Sequence, residues 1–226
     1  MREGEMDMHD VTDAEENEEP RHEEKGGVLQ KKWERRCCLV GVCVLLLAFG
    51  VFFALQVPQL QRAYLYPYPY RPAIERMAQR FHVDSSLVAA VILSESKFKN
   101  AAQSHKGAVG LMQLMPDTAF WISKRMEDPL VSIDALKEPE RNIMYGTWYL
   151  AELENEFHGN DILALAAYNA GRGNVHAWME DKGWDMNFQD VQAIPFGETR
   201  KYVENVLKSR AKYQELYQDG FGGQKP

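Results

Sequence analysis

A chain of 226 residues with ten prolines suits one globular domain with appendages. The formal net charge is −7, and it is uneven: residues 1–25 hold 11 Asp/Glu against 3 Lys/Arg, whereas residues 58–226 hold 21 against 19. The main part is therefore nearly neutral and lacks the basic patch that nucleic-acid binding needs, so no nucleic-acid partner is expected.

Residues 1–30 open the chain as an acidic tail with almost no bulky apolar side chains. Such a segment buries too little surface to fold alone and is expected to be disordered. Residues 31–57 follow as a basic flank and a single transmembrane helix. Between Cys37 and Val57 only Gln56 is strongly polar and nothing is charged. Those residues make a helix of about 31 Å at ~1.5 Å per residue, close to a hydrocarbon core of about 30 Å. FFALQVPQL offers no pair of small residues for signal cleavage, so the anchor is expected to remain. Lys31, Lys32, Arg35 and Arg36 precede it, whereas only Arg62 lies close on the far side before Arg71. That asymmetry predicts a cytoplasmic N-terminus, with residues 58–226 outside the cell membrane.

The three cysteines are Cys37, Cys38 and Cys43, in the anchor or at its edge. The exported part thus has no disulfide framework, thiol nucleophile or thiolate metal site. Residues 58–71 form a connector in which Pro67 and Pro69 oppose helix. Tyr64, Tyr66, Tyr68 and Tyr70 fit either the membrane interface or the surface of the domain, and the sequence leaves both open.

From residue 72 to 218 the pattern is helical almost throughout. Pro72 suits the first turn of a helix with Ile74, Met77, Ala78 and Phe81 on one face. Asp84 is a good N-cap for SSLVAAVILSESKF. Pro139 starts a helix carrying Ile143, Leu150, Leu153 and Phe157, ended by HGN. Asp161 is expected to cap ILALAAYNA, with Gly171 as its stop. Glu198 to Tyr217 reads as a last long helix, and residues 219–226 as a flexible end. The expected class is mainly α.

Glu95 stands out. It continues the helical face of Leu87 and Val91, so its carboxylate loses water, and desolvation raises its pKa. A carboxyl kept protonated near neutral pH is what a general acid needs. The alternative is a solvated rim position beside Lys97 or Lys99, and periodicity alone does not choose. Downstream, Gly107 and Gly110 bracket a tight loop. There Gln113 sits among Leu111, Met112, Leu114 and Met115, an amide with apolar thioethers that suits uncharged, hydroxyl-rich and acetamido-bearing ligands. ALAAYNAGRGNV then sets Tyr168 and Asn169 at the end of an apolar helix, and IPFGETRKYV opens a helix with Glu198 and Tyr202.

ES-x-F at 95–98, GAVGLMQLMPDTA at 107–119, AYNAGRGNV at 167–175 and ETRKYV at 198–203 occur in that order. Together they resemble the soluble lytic murein transglycosylase catalytic domain, of the lysozyme-like superfamily, over about residues 66–215. The resemblance implies a lysozyme-like helical fold with a glycan groove and Glu95 as the catalytic residue. Tyr168 is implied as its neighbour, orienting it by hydrogen bond, with Ser96 supporting. Ser104, Gly110, Leu111, Met112, Gln113, Met115, Asn169, Glu198 and Tyr202 are implied as substrate-binding positions. Met112 and Met115 fit a core role equally well. Asn169 reads better as a turn residue, and Glu198 equally well as a helix N-terminal charge. His105–Lys106, between Ser104 and Gly107, departs from the pattern, where a proline or small residue is expected.

The activity implied is cleavage of the bond between N-acetylmuramic acid and N-acetylglucosamine in peptidoglycan strands, closing a 1,6-anhydro ring. One glutamate serves as acid and then as base. The alternatives are a goose-type hydrolytic muramidase, with Glu198 or Asp117 as second carboxylate, and a non-catalytic wall-binding module. No cofactor or metal is expected, since the six histidines are scattered and none shows zinc-helix spacing. Residues 37–57 are expected to contact the membrane. Partners in a membrane or cell-wall complex are left unnamed by the sequence.

Overall fold

A computed structural model describes residues 24–54, 56–130 and 132–217. The expected flexible end, residues 219–226, and the tail up to residue 23 lie outside the described residues. The chain divides into two units, Met1–Ala54 and Leu55–Pro226.

The first unit contributes α1, Glu24–Ala54. Helix thus begins inside the segment assigned to the disordered tail, whose upper boundary of residue 30 is too late. Once the apolar run has nucleated a helix, each further residue adds a hydrogen bond at little cost, so the basic flank and its neighbours follow. The window Arg36–Phe53 has a mean hydropathy of 2.5 and buries nothing against protein. α1 is long and apolar enough to cross a membrane.

The second unit is helical, with no strand among the described residues. It begins with a single turn, α2 (Pro58–Leu60), running into a π-helical stretch, Gln61–Leu65. Then come α3 (Arg71–Phe81), α4 (Ser85–Ser96), α5 (Pro116–Arg125), α6 (Pro139–Glu156), α7 (Asp161–Ala170), α8 (Arg172–Lys182) and α9 (Gly197–Leu216). Asp84 caps α4 as expected, accepting from the Ser86 N–H at 2.8 Å. The cap of α7 is Asn160, one residue before the expected Asp161. Its Oδ1 accepts from Leu163 N–H at 3.0 Å, and its Nδ2 donates to the carbonyls of Met186 and Phe188. Asp161 instead turns its carboxylate to Arg210.

α4 and α7 form the centre. Every residue from Ser86 to Ile92 and from Ile162 to Ala167 is buried, so neither helix has a polar face in its middle. α9 packs across both, and α3 lies against α6. A second, smaller core gathers Val109, Leu114, Ala119, Ile122, Leu136 and Tyr145 beneath the loop after α4.

The connector belongs to this unit. Tyr66, Tyr68 and Tyr70 pack on the main core. The Tyr213 hydroxyl donates to the Pro67 carbonyl at 2.7 Å, and that of Tyr217 to Tyr66 at 2.8 Å. Only Tyr64 of the four connector tyrosines is broadly exposed, at 75 %.

Between α4, α6, α7 and α9, Arg210 bonds Asp84 at 2.7 Å and also pairs with Asp161. Glu154 faces this group. Burial and the charges of Asp161 and Asp84 push its pKa up to about 7, against the pull of Arg210. The folded protein therefore holds a proton that the unfolded chain releases between about pH 4.5 and 7. Stability falls as pH rises through that window. Glu154→Gln is expected to flatten part of the fall, measured as thermal midpoint against pH.

Candidate active site

The site starts from how α4 ends. Glu95 occupies its last turn, directly after the buried run that closes at Ile92. Ser96 turns its hydroxyl back onto the Ile92 carbonyl at 3.3 Å, a helix-end role. Lys97 and Phe98 then both take left-handed backbone conformations, φ 52° and 62°. Such conformations cost of order 1–3 kcal/mol each in residues other than glycine. Burial of the Phe98 ring in the main core offsets that strain. The sharp reversal stops the helix one turn after its core face and leaves Glu95 half-buried.

Burial pushes the Glu95 carboxyl up to about 7. The Tyr202 hydroxyl opposes this shift, and the charge of Glu198 adds to it. Tyr202 reaches Glu95 from α9, where its hydroxyl oxygen is buried without closing a hydrogen bond of ordinary geometry. Burial and the Glu95 charge both hold the proton on that hydroxyl. Glu198 lies one turn earlier on α9, in the first turn, and is exposed. The face of the α9 N-terminus carrying Glu198 and Tyr202 thus meets the end of α4.

Tyr168 sits near Glu95 but is differently engaged. Burial raises its pKa well above the usual phenol value, and the Glu95 charge is the next cause. Its hydroxyl donates to the Met112 carbonyl at 2.8 Å. The expectation that it orients Glu95 by hydrogen bond is therefore corrected. That donor ties α7 to the loop, and the hydroxyl facing Glu95 is Tyr202. Asn169 lies in the last turn of α7, not in a turn, and its Oδ1 accepts from the Thr199 hydroxyl at 2.8 Å. This bond fixes α9 against α7 next to Tyr202.

The loop from Ala102 to Met115 is held by its own backbone. Val109 and Leu114 exchange hydrogen bonds of 2.9 and 3.0 Å, and Gly110 N–H reaches the Ala102 carbonyl at 2.9 Å. Ser104 supports a turn around His105–Lys106, accepting from Gly107 N–H through its carbonyl and from Ala108 N–H through its hydroxyl. Gln113 adopts φ 48°, and its Nε2 donates to the carbonyls of Ala102 and Gly110 at 3.1 and 2.8 Å. Its amide donors are thus used internally, and its carbonyl oxygen is the part left for a ligand.

Leu111 and Met112 are 0 % exposed, so their side chains are core and cannot touch substrate. That corrects their implied binding role. The Met112 thioether lies where a Cβ on Gly146 would come within 2.3 Å, which explains the glycine in the middle of α6. Met115, 42 % exposed at the start of α5, remains available to a ligand. Asp117, the other proposed second carboxylate, is exposed in the first turn of α5.

The residue that sequence reading missed is Asn142. Fully buried, it accepts from Met112 N–H at 2.7 Å and donates to Val109 and Leu136 at 3.0 and 2.8 Å. Gly110 fits against it at φ 85°, and a Cβ there would lie 2.1 Å from Nδ2. Asn142 was legible only as a polar residue on the apolar face of ERNIMYGTWYL, beside Ile143. Asn142→Leu removes the partner of the Met112 N–H and of the Leu136 carbonyl, and one of the two donors to the Val109 carbonyl. It is expected to destabilise the fold by about 3 kcal/mol or more in chemical denaturation.

A family profile described as "Transglycosylase SLT domain" matches residues 72–190, and a second, "Soluble lytic transglycosylase helical domain", matches 193–226. The soluble lytic murein transglycosylase of Escherichia coli K12 is 37 % identical over 156 residues, which is 68 % of this chain and 24 % of that protein. Membrane-bound lytic murein transglycosylase C of Edwardsiella ictaluri is 32 % identical over 170 residues, 65 % of this chain and 47 % of that one. Among solved structures, an inactive mutant of lytic transglycosylase Slt from Pseudomonas aeruginosa superposes with a TM-score of 0.62 at 33 % identity, covering 76 % of this chain and 29 % of its own. A 70-kDa soluble lytic transglycosylase in complex with bulgecin A gives 0.64 at 35 % identity, covering 71 % and 26 %. The chain spans about a quarter of the length of the soluble relatives. The order of motifs, the all-helical unit around Glu95 and these matches together mean that this chain belongs to the transglycosylase SLT domain family.

Proposed function

We propose that the protein is a membrane-anchored lytic transglycosylase that cuts peptidoglycan glycan strands without water. The observation that carries this reading is Glu95, a carboxyl delivered by an apolar helix to a half-buried position where it holds its proton up to about pH 7. The names of its relatives, lytic murein transglycosylases, agree.

In the proposed reaction Glu95 donates its proton to the oxygen linking N-acetylmuramic acid to N-acetylglucosamine. As the bond to C1 breaks, the acetamido carbonyl of the muramic residue bonds to C1 and carries the positive charge. Glu95, now a carboxylate, takes the proton of the C6 hydroxyl. That oxygen bonds to C1, the acetamido group is released, and a 1,6-anhydro ring closes. One carboxyl thus ends in the state in which it began. The Tyr202 hydroxyl bears on the Glu95 carboxyl and lowers its proton affinity, which favours the acid step, while burial raises that affinity again for the base step. Ser96 supports the Glu95 turn. Ser104, Gly110 and Gln113 shape the loop wall, where the Gln113 carbonyl is an acceptor for an acetamido N–H. Met115 and Asn169 flank it.

A hydrolytic reaction needs a second carboxylate to activate water. Glu198 is the carboxylate that bears on Glu95, so it is the residue such a mechanism would use. Product masses separate the two. Anhydro-muramic ends are expected from purified peptidoglycan, and reducing ends heavier by one water would assign hydrolysis instead.

The α1 helix supplies the proposed anchor, with the basic flank on the cytoplasmic side and residues 58–226 outside. Glu95→Gln is expected to keep the thermal midpoint and glycan binding while cleavage falls at least ~10³-fold. The native enzyme should lose activity as pH rises through about 7, because the acid then starts deprotonated. Undiminished cleavage by the Gln variant removes Glu95 from the mechanism.

A further inference from the structure

A row of aromatic rings leads away from the site. Tyr168, beside Glu95, has its ring centroid 5.5 Å from Tyr149, and Tyr149 lies 6.1 Å from Trp121. Trp121 is 5.5 Å from Trp148. All four side chains are only partly buried. The smaller core beneath is already closed by Ile122, Leu136, Tyr145 and their neighbours, and Trp121, Trp148 and Tyr149 lie at its rim, with Tyr168 on the main core. Phe120, adjacent to Trp121, is exposed as well.

Arg172 completes the arrangement. Its guanidinium carbon stands 5.9 Å from the Trp121 ring centre. Its Nε and Nη2 bond the two oxygens of Glu156 at 3.2 and 2.6 Å. His176 shares that carboxylate at 2.6 Å and stacks on Phe157, so Glu156 of α6 is held between two side chains of α8. The outcome is a group of mutually tilted rings in which the partly exposed Trp121 carries, over its ring, a charge-paired guanidinium with further N–H donors. A pyranose matches it, having an apolar face of C–H groups and a rim of hydroxyls. A strongly anionic ligand matches less well, since Glu156 cancels the charge.

We propose that Trp121, edged by Arg172, is a remote sugar-stacking platform that receives a glycan unit a few residues along the strand from the bond cut at Glu95. This rests on the lytic transglycosylase reading and adds to it a determinant of preferred chain length. Trp121 sets affinity for long strands and leaves the chemistry at Glu95 unchanged.

The test uses the full-length chain in detergent, with Glu95→Gln as background so that ligand is not consumed. Binding of N-acetylglucosamine dimer and hexamer is measured by calorimetry. Adding Trp121→Ala is expected to weaken the hexamer about tenfold and leave the dimer unchanged, while Trp121→Phe stays within about threefold of the parent. In the cleavage-competent protein, Trp121→Ala should raise KM for long strands without lowering kcat. Equal effects on dimer and hexamer, or none on the hexamer, overturn the platform. Melting curves identify a variant that has merely unfolded, and the Phe variant then decides, since retained length preference supports the platform and its loss overturns it. Hexamer binding that depends on Trp121, in a protein whose native form cuts nothing, keeps the platform and rejects the lytic reading.

Discussion

The structure depends on keeping one carboxyl away from water without burying it completely. Full burial leaves no path to a substrate, and full exposure returns Glu95 to an ordinary acid that is ionised at neutral pH. The compromise is made by α4. Its middle is apolar on all sides, and its end is cut off by two left-handed residues. α9 then crosses the open end and brings a hydroxyl and a second carboxylate into the field of Glu95. These two groups act in opposite directions. Tyr202 favours the charged form and Glu198 the neutral one, so the set point near neutrality is a balance of neighbours as well as of solvent exclusion.

The loop that faces this helix is built on the same economy of polar groups. Between Val109 and Leu114, five of the six backbone N–H groups and the Gln113 amide are used within the loop or passed to Asn142. A buried amide with three bonds to three separate backbone groups fixes the loop more rigidly than apolar packing can, because each bond has a direction as well as a distance. Tyr168 adds a fourth attachment from α7. The loop is thus a wall whose shape is set before any ligand arrives, and preorganisation of this kind is what the positioning of a glycan requires.

Much of this was legible in the sequence, for identifiable reasons. The buried cores of α4 and α7 were visible because uninterrupted apolar runs have few alternatives in a helical domain. Asp84 as a cap and Pro139 as a starter follow local rules that tertiary structure seldom overrides. Glu95 was visible as an acid on a core face. Direction was not legible. Tyr168 and Tyr202 both sit within helical reach of the site, and only the crossing of α9 decides which hydroxyl meets the carboxyl. The same holds for Met112, where a methionine beside a glycine loop suits groove or core, and the space left by Gly146 draws it inward. α8 was hidden behind Gly171, which reads as a helix stop although helix resumes at once at Arg172. Asn142 resembles any polar residue on a helix until its three partners are known.

The docked tyrosines change what the segment after α1 does. Residues 58–71 read as loose chain, but Tyr66 and Tyr68 are fastened to the folded unit through Tyr213 and Tyr217, and Tyr70 packs on its core. A chain break between Tyr66 and Pro67 would therefore loosen the C-terminal end of α9 as well, since the Tyr213 and Tyr217 hydroxyls would lose their acceptors.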